Sequence, residues 1–425
     1  MHIPSRAFVI LGLVVVFSAG LAANFFLAHR QSEPLAVPPA NQTQTSTEAP
    51  VPIGSTQTLD IKLPPYDLTK LFAATTTRCK QDAAACFKNR LNEITRSSGP
   101  EAALEVLASL QQAHLIQTTI DDHQLAHAIG RRTAERFGVS GASFLLCPTS
   151  FNYGCQHGFF EYALGRANST KEVINQICGA FETNSSYSAK FKFYCYHGVG
   201  HGVLMAQAYD LDGAIRVCDS LDSETATDGC WQGVFMENVN AGMRGEARTG
   251  VFSKTDALAP CDKVGVEYRH ECFINHAGWL MQFFRNDVRE AATACLAAPA
   301  GSLEPCLQSI GLMATNPVWQ SALAGTNTGM SVEETAWSIC LKFPASHRDQ
   351  CVIGSVDNLL NFDELKVTRS ASFCLLVDQG LQALCYREIG INLANETTNA
   401  LVIRNLCGAL APSARDSCLA GARIQ

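Results

Sequence analysis

The sequence predicts an all-α fold: disulfide-stapled helical-hairpin repeats forming an α-solenoid or α/α toroid, with an N-terminal transmembrane or signal helix. Three observations support this prediction. The 18 cysteines fall into adjacent pairs that recur along the chain. The segments around these pairs show the apolar period of amphipathic helices. The chain also opens with a long apolar run that carries no charge.

The first 30 residues read as a targeting segment. The apolar run extends over residues 7–28, which is longer than the apolar core of about 7–15 residues in a cleaved signal peptide and is sufficient to cross a bilayer. Arg6 before it predicts that the remaining chain faces outward. Small residues at 19–23 leave a cleaved signal peptide as the alternative. Both alternatives predict an extracytoplasmic location, periplasmic or at the cell surface, and the uncleaved one predicts a membrane anchor.

Composition then divides the remaining chain. Residues 31–65 are rich in Pro, Thr, Ser and Gln and predict a flexible linker. Residues 66–140 predict an N-terminal helical section, with helices from Gly99 to about His114 and from about Ile120 to Phe137. Residues 141–425 form the cysteine-paired repeat region. Hydrophobic residues make up 47% of the chain, enough for a large core, and a net charge of −7 without a basic block argues against nucleic acid as a partner.

The cysteine pairs define the repeat. The last five pairs are all separated by eleven residues, and no Cys-x-x-Cys occurs, which argues against zinc ribbons, thioredoxin-like centres and haem c attachment. An even cysteine count in an exported chain predicts disulfides between neighbours. The predicted pairs are Cys79/Cys86, Cys147/Cys155, Cys178/Cys195, Cys218/Cys230, Cys261/Cys272, Cys295/Cys306, Cys340/Cys351, Cys374/Cys385 and Cys407/Cys418.

Each repeat is predicted to be a helix, a polar turn and a second helix. The first cysteine ends an amphipathic run, and the second opens an apolar run that usually has glycine three or five residues later. Acidic residues in the turns, such as Asp349 and Asp416, are expected to cap the second helix. In the chain-entropy picture, a disulfide across eleven residues stabilises the fold by about 3 kcal/mol.

Five histidines occur in three short motifs with a spacing of four residues. The motifs are His123-x-x-x-His127, His157-x-x-x-Glu161 and His197-x-x-x-His201. This spacing places both side chains on one face of a helix, which is how helices present two ligands to one metal ion.

The repeat register aligns the second and third motifs. Both occupy positions two and six after the second cysteine of a pair. In later repeats the same positions hold Gln232/Met236, Ile274/Gly278, Gln308/Leu312, Ile353/Asp357 and Arg387/Ile391. Metal-ligating side chains therefore occur in two early repeats and are mostly absent afterwards.

Glycines in the third motif give an independent indication. Gly198, Gly200 and Gly202 fall within a predicted helix, where each costs about 1 kcal/mol relative to alanine. Such a local conflict is typical of a functional or tightly packed site.

These patterns predict one metal-binding pocket. Its predicted ligands are His123, His127, His157, Glu161, His197 and His201, with Glu237, Asp122 and His276 as outer members. Nitrogen ligands with a carboxylate suit a divalent transition metal, namely zinc, iron or copper, held as one ion with an open position or as two ions. An open position would allow activation of water or oxygen, with Glu161 or Glu237 as the general base.

Two alternatives remain beside a metal-dependent enzyme. The histidines are structural in the first, and the protein is a non-catalytic interaction scaffold for a small molecule or a protein partner. A bis-histidine haem site is the second, although no feature of the sequence requires it. No GxSxG, P-loop or dinucleotide fingerprint occurs in a suitable context.

Overall fold

A computed structural model describes residues 61–80, 83–116, 122–151, 153–167, 169–182, 184, 187–245, 251–316, 329–362 and 367–424. Over these ranges the chain is helical and contains no strand. The predicted anchor at residues 7–28 and most of the predicted linker lie outside the described residues. Within the described part of the chain, no helix has both the length and the apolar character needed to span a bilayer.

The N-terminal section forms three helices with a core of their own. They are α1 (Leu68–Arg78), α2 (Ala84–Ser98) and α3 (Pro100–Gln112). Pro100 at the first position of α3 supplies a preformed helical φ without sacrificing an intrahelical hydrogen bond. Their buried side chains, including Phe87, Leu91 and Leu107, form one apolar cluster with residues of the following helices.

Eight helices build the part of the repeat region that carries the histidines. They are α4 (Asp122–Phe137), α5 (Gly141–Phe144), α6 (Gly154–Leu164), α7 (Thr170–Ile174), α8 (Ala180–Glu182), α9 (Ala189–Ala206), α10 (Leu211–Asp219) and α11 (Glu224–Arg244). A π-helical turn, Asn175–Gly179, joins α7 to α8.

Ten further helices complete the described repeats. They are α12 (Arg269–Ile274), α13 (Ala277–Phe283), α14 (Val288–Cys295), α15 (Leu303–Ala314), α16 (Val332–Cys340), α17 (Arg348–Phe362), α18 (Thr368–Leu376), α19 (Gln379–Glu396), α20 (Ala400–Gly408) and α21 (Pro412–Gly421). The 3₁₀ turns Val266–Tyr268 and Ala345–His347 precede α12 and α17. The repeats from α4 onward share one continuous apolar core.

The predicted disulfide pattern is confirmed. All 18 cysteines pair with their nearest neighbour in sequence, with Cα–Cα distances of 5.4–5.8 Å. Both sulfurs of almost every pair are buried. Each disulfide therefore clamps one helical hairpin and contributes to the core at the same time.

The predicted capping of the second helices by acidic turn residues is wrong for α17 and α21. α17 and α21 already begin at Arg348 and Pro412, so Asp349 and Asp416 lie inside the helices rather than at their caps. Serine caps occur on the second helices α9 and α11, where Ser188 and Ser223 accept bonds from backbone amides. First helices of the hairpins are capped in the same way by Asp287, Ser331 and Asn399.

The glycines found three or five residues after the second cysteine lie where two helices pack against each other. In each such pair, a glycine of one helix contacts the backbone of the other helix. Gly200 of α9 lies against the carbonyl oxygen of Cys230, and Gly233 of α11 lies against the carbonyl oxygen of His197. The same reciprocal contact occurs in three other helix pairs, formed by Gly130/Gly158, Gly311/Gly354 and Gly390/Gly421. Adding a Cβ at any of these positions would overlap backbone atoms. The hairpins therefore associate two by two, with backbone against backbone.

Replacing Gly200 by alanine is expected to destabilise the fold by about 2–3 kcal/mol, because the new methyl group overlaps the backbone of α11. Urea unfolding of the purified protein measures this change. Gly380→Ala is the matched control. It also lies in a helix but has no atom within 4 Å of an added Cβ, and is expected to gain up to about 1 kcal/mol. Equal stability of both variants would contradict the close helix packing.

Candidate metal centre

Four consecutive long helices of the repeat stack position the histidines. α4 carries His123 and His127, α6 carries His157, and α9 carries His197 and His201. α11 packs on α9 from the other side. All five histidine side chains lie together, and all but His123 are 0–2% exposed.

Small residues allow these helices to approach. Gly158 of α6 sits against the carbonyl oxygen of His127. Gly198 and Gly202 of α9 face α6, where an added Cβ would lie 2.9 Å from a ring carbon of Phe160 and 2.8 Å from its carbonyl oxygen. Two of the three helix glycines that conflict with local propensity therefore bring α9 onto α6, while Gly200 faces α11.

The imidazole nitrogens fall into two groups of three. His123, His127 and His157 form one group, and His157, His197 and His201 form the other. Within each group, one nitrogen from every ring lies within 4.8 Å of the others. His157 is common to both groups.

Ring positions match those of ligands that share one ion. With a metal–nitrogen bond of about 2.0–2.1 Å, two imidazoles bound at about 90–110° have centroids about 4.6–5.3 Å apart. The centroids lie 4.5, 5.3 and 5.4 Å apart in the first group. They lie 5.2, 4.5 and 4.9 Å apart in the second. These separations allow a metal ion in each group, and in the second group one of the stacked rings of His157 and His201, now 16° apart, would have to turn to direct its nitrogen at the ion.

Hydrogen bonds determine which nitrogen of the first pair carries a proton. His123 Nδ1 donates to the carbonyl oxygen of Phe151 at 2.8 Å, and His127 Nδ1 donates to Glu161 Oε1. In the neutral rings the Nε2 atoms then carry lone pairs, and these two atoms face each other at 2.9 Å. Two facing lone pairs repel unless a proton or a metal ion lies between them.

The second pair repeats this arrangement. His201 Nδ1 donates to Glu237 Oε2 at 3.1 Å, and His201 Nε2 lies 3.1 Å from His197 Nε2. Both pairs thus consist of two histidines one turn apart, with a buried glutamate behind the second histidine. The two glutamates come from the neighbouring helices α6 and α11.

His157 is the histidine of the cluster that lacks a hydrogen-bond partner at both ring nitrogens in the described part of the chain. Its side chain is 2% exposed, and neither Nδ1 nor Nε2 has a hydrogen-bond partner among the described residues. Leaving a buried polar atom without a partner costs about 1–3 kcal/mol. The ring centroid lies 4.5–5.4 Å from those of the other four histidines, so His157 can offer a nitrogen to either pair.

Burial lowers the pKa of three of the clustered histidines. Desolvation, followed by the neighbouring His127, lowers the pKa of His123 to about 3. Desolvation, followed by His201, places the pKa of both His157 and His197 well below 6.5. Neutral imidazoles are the form that binds metal ions.

The Glu161 carboxylate is held ionised by its neighbours. Burial opposes its charge, yet His127 and Arg131 hold the pKa of this carboxyl well below its usual range. Its second oxygen forms an ion pair with Nη1 of Arg131. One oxygen of Glu161 therefore binds His127 of the histidine cluster, and the other binds Arg131 outside the cluster.

Metal-free His157 is expected to make the protein acid-sensitive. Its folded pKa lies below the unfolded value of 6.5, so the unfolded chain binds the extra proton and stability falls as pH drops below about 6.5. The metal-free His157→Leu variant should therefore exceed the metal-free unchanged protein in unfolding free energy by a margin that grows by up to about 1.4 kcal/mol per pH unit as pH falls. Urea unfolding between about pH 7 and pH 5 measures it.

A comparison with the variant is needed because other groups oppose this trend. Burial is the main cause that raises the pKa of Glu271 to about 8, of Glu388 to about 7 and of Asp357 to about 6. Protonation of these carboxyls stabilises the folded state as pH falls, and it occurs equally in the variant. A pH-independent difference between the two proteins would contradict the neutral, buried His157.

The structure places the predicted outer members differently. Glu237 contacts His201, as described above. Asp122 accepts hydrogen bonds from Gln111 and from the backbone of His123, and lies outside both nitrogen groups. His276 Nε2 donates to the carbonyl oxygen of Ala257 at 2.7 Å and also belongs to neither group.

Sequence reasoning missed two residues next to the cluster. Arg131 lies four residues after His127, and Tyr194 lies three residues before His197 with its ring 5.5 Å from that histidine. Residues three or four positions from a motif histidine lie on the same helix face, and this spacing could have identified both. Tyr194 also stacks on Tyr153 at 4.2 Å, so aromatic rings cover the second group.

Comparisons of the chain with protein-family models, curated proteins and solved structures give no significant match. The function is therefore inferred from the chemistry of the site.

Proposed function

We propose that this chain is an exported metal-binding protein whose five clustered histidines hold a pair of transition metal ions. One observation carries the proposal: buried His157, without a partner at either ring nitrogen, lies between two pairs of facing histidines. A proton between the two Nε2 atoms bridges each pair but leaves both nitrogens of His157 without a partner among the described residues. Two ions would provide a partner for the facing Nε2 atoms and for His157.

His123, His127 and His157 would hold one ion, and His157, His197 and His201 would hold the other. To serve both ions through its two nitrogens, His157 would have to release its ring proton to water. No thiolate competes, since all 18 cysteines are in disulfides. An all-imidazole set suits zinc, copper or iron.

Glu161 and Glu237 act as orienting groups in this proposal. Each accepts a hydrogen bond from Nδ1 of a ligand histidine, an arrangement that fixes the tautomer and raises the basicity of Nε2. This role takes precedence over that of a direct ligand or a general base, because the oxygens nearest the cluster are already bound to the rings.

Three protein ligands leave one coordination position of each ion open, as in catalytic zinc sites. A metal-dependent enzyme that activates water or oxygen is therefore the proposed activity class. In this role the chain's own residues fix the ligand geometry, and the buried surroundings restrict access of bulk water.

The proposed setting is extracytoplasmic, because nine disulfides require an oxidising compartment. We propose that residues 7–28 anchor the chain. A closed α/α toroid is favoured over an open solenoid, since Lys190 of α9 forms an ion pair with Glu396 of α19 across 206 residues of sequence. This contact returns a late repeat to the histidine-bearing helices.

Metal analysis of protein purified from an oxidising compartment tests the proposal. We expect about two equivalents of zinc, copper or iron per chain, and about one or fewer in the double variant His197→Ala/His201→Ala, because one ion loses two of its three ligands. Substoichiometric metal that is unaffected by this change would favour the non-catalytic scaffold with structural histidines.

A further inference from the structure

A cationic cleft lies directly beside the metal centre. It has a volume of about 310 Å³ and lies between α2, α4 and α6. Its walls are formed by Lys88, Asn92, Ala128, Arg131, Arg132, Glu135, Tyr162 and Arg166. Arg131 connects it to the histidine cluster, because this residue pairs with Glu161 and Glu161 accepts from His127.

Positive charge exceeds negative charge in this cleft, although the whole chain carries −7. Four cationic side chains face two carboxylates, Glu135 paired with Arg132 and Glu161 paired with Arg131. Lys88 and Arg166 form no ion pair with a carboxylate in the described residues, and the Arg166 guanidinium lies 4.2 Å from the centre of the Tyr162 ring. The excess charge is therefore concentrated in one concave surface.

The cleft wall also contains unsatisfied buried polar atoms. Nε of Arg132 is a buried donor without a partner in the described part of the chain, and Oδ1 of Asn92 is likewise without one. A rotated Asn92 amide would present its NH₂ group at the same place. Each side chain would therefore gain a hydrogen bond by turning a donor toward an anion bound in the cleft.

We propose that this cleft binds a small phosphate-type oxyanion, either inorganic phosphate or the phosphate group of a monoester. Planar guanidinium groups match two oxygens of such an anion, and Lys88 adds a point charge. The volume accommodates a phosphate with a small organic substituent. As a substrate or effector site, the proposal rests on the proposed metal centre, but anion binding itself is independent of metal.

Arg131 couples the two sites in a defined direction. An oxyanion that draws Arg131 away leaves the Glu161 carboxylate less neutralised, so it accepts more strongly from His127 Nδ1. The Nε2 atom of His127 becomes more basic and binds its ion more tightly. By thermodynamic reciprocity, metal loading tightens oxyanion binding by the same factor, for which we expect about fivefold.

Calorimetric titration of the metal-free full chain with inorganic phosphate tests the cleft. The double variant Arg132→Gln/Arg166→Gln is expected to bind at least about tenfold more weakly, since two charge-assisted contacts are lost. Arg404→Gln, an exposed cation on α20, is the control for charge alone and should bind as the unchanged protein does. Equal phosphate affinity in all three proteins, or no binding, would overturn the proposal.

Methyl phosphate in the same titration distinguishes a free anion from a monoester, with comparable affinity supporting the monoester. Metal affinity measured by chelator competition, with and without phosphate, tests the coupling. The expected fivefold gain should vanish in Arg131→Gln, whereas phosphate ligating the metal directly would retain it and overturn the coupling. Failure of the metal centre would appear separately, as phosphate binding by a protein that takes up no metal.

Discussion

Replacing His157 by leucine is expected to reduce the bound metal from about two equivalents to less than one. His157 is the only residue common to both nitrogen groups, so its loss leaves each ion with two protein ligands instead of three. Leucine fills a similar volume, which limits any cavity effect. Metal content by atomic emission and affinity by chelator competition measure the result.

The same substitution is expected to lower metal binding but to raise the stability of the metal-free protein. His157→Leu removes two buried ring nitrogens that lack partners, so the metal-free protein should gain about 1–3 kcal/mol in unfolding free energy. His276→Leu is the matched control, because His276 is equally buried but bonded to Ala257 and outside both groups. It should lose stability and retain its metal. Full metal content in His157→Leu would refute the bridging role.

Replacing the orienting glutamates is expected to lower metal affinity without removing a ligand. Glu161→Gln and Glu237→Gln keep the shape of the side chain but remove the charge that holds Nδ1 of His127 and His201. Loss of such a partner costs about 10–100-fold in metal affinity. Competition with a chelator of known affinity measures each variant.

An exposed glutamate provides the control for these two variants. Glu290→Gln in the first turn of α14 changes the same charge at a distance from the cluster and should leave metal affinity unchanged. Far-ultraviolet circular dichroism and disulfide mapping verify that each variant is folded. Wild-type affinity in both Glu161→Gln and Glu237→Gln would show that these carboxylates do not support ligands.

Much of the fold could be predicted because the spacing of the cysteines indicates where each helical hairpin turns. A pair separated by eleven residues permits only a short turn between two helices, and neighbouring pairs repeat that geometry. Two rules predict that the histidines lie close together. A spacing of four residues places the two side chains of a motif on one helix face, and the motifs after Cys155 and Cys195 occupy the same positions in their repeats. Both rules depend on local periodicity, which the sequence displays.

The roles of His157, Glu161 and the paired glycines depend on which helices pack against each other. Sequence periodicity does not reveal which helices are neighbours. His157 belongs to both groups because α6 lies between α4 and α9, and Glu161 turns toward His127 and Arg131 rather than toward an ion. The pairing of Gly200 with Gly233 likewise appears only when α9 and α11 are placed together. The cap predicted at Asp349 is wrong because α17 already begins at Arg348, and helix ends are not determined by periodicity to within one residue.

Anomalous diffraction from metal-loaded crystals tests the metal centre most directly. Two peaks should lie about 6 Å apart on either side of the His157 ring, each about 2.0–2.1 Å from three imidazole nitrogens. His123 and His127 should bind one ion, and His197 and His201 the other. The absence of any peak among these five histidines, or a single peak bound without His157, would contradict the account.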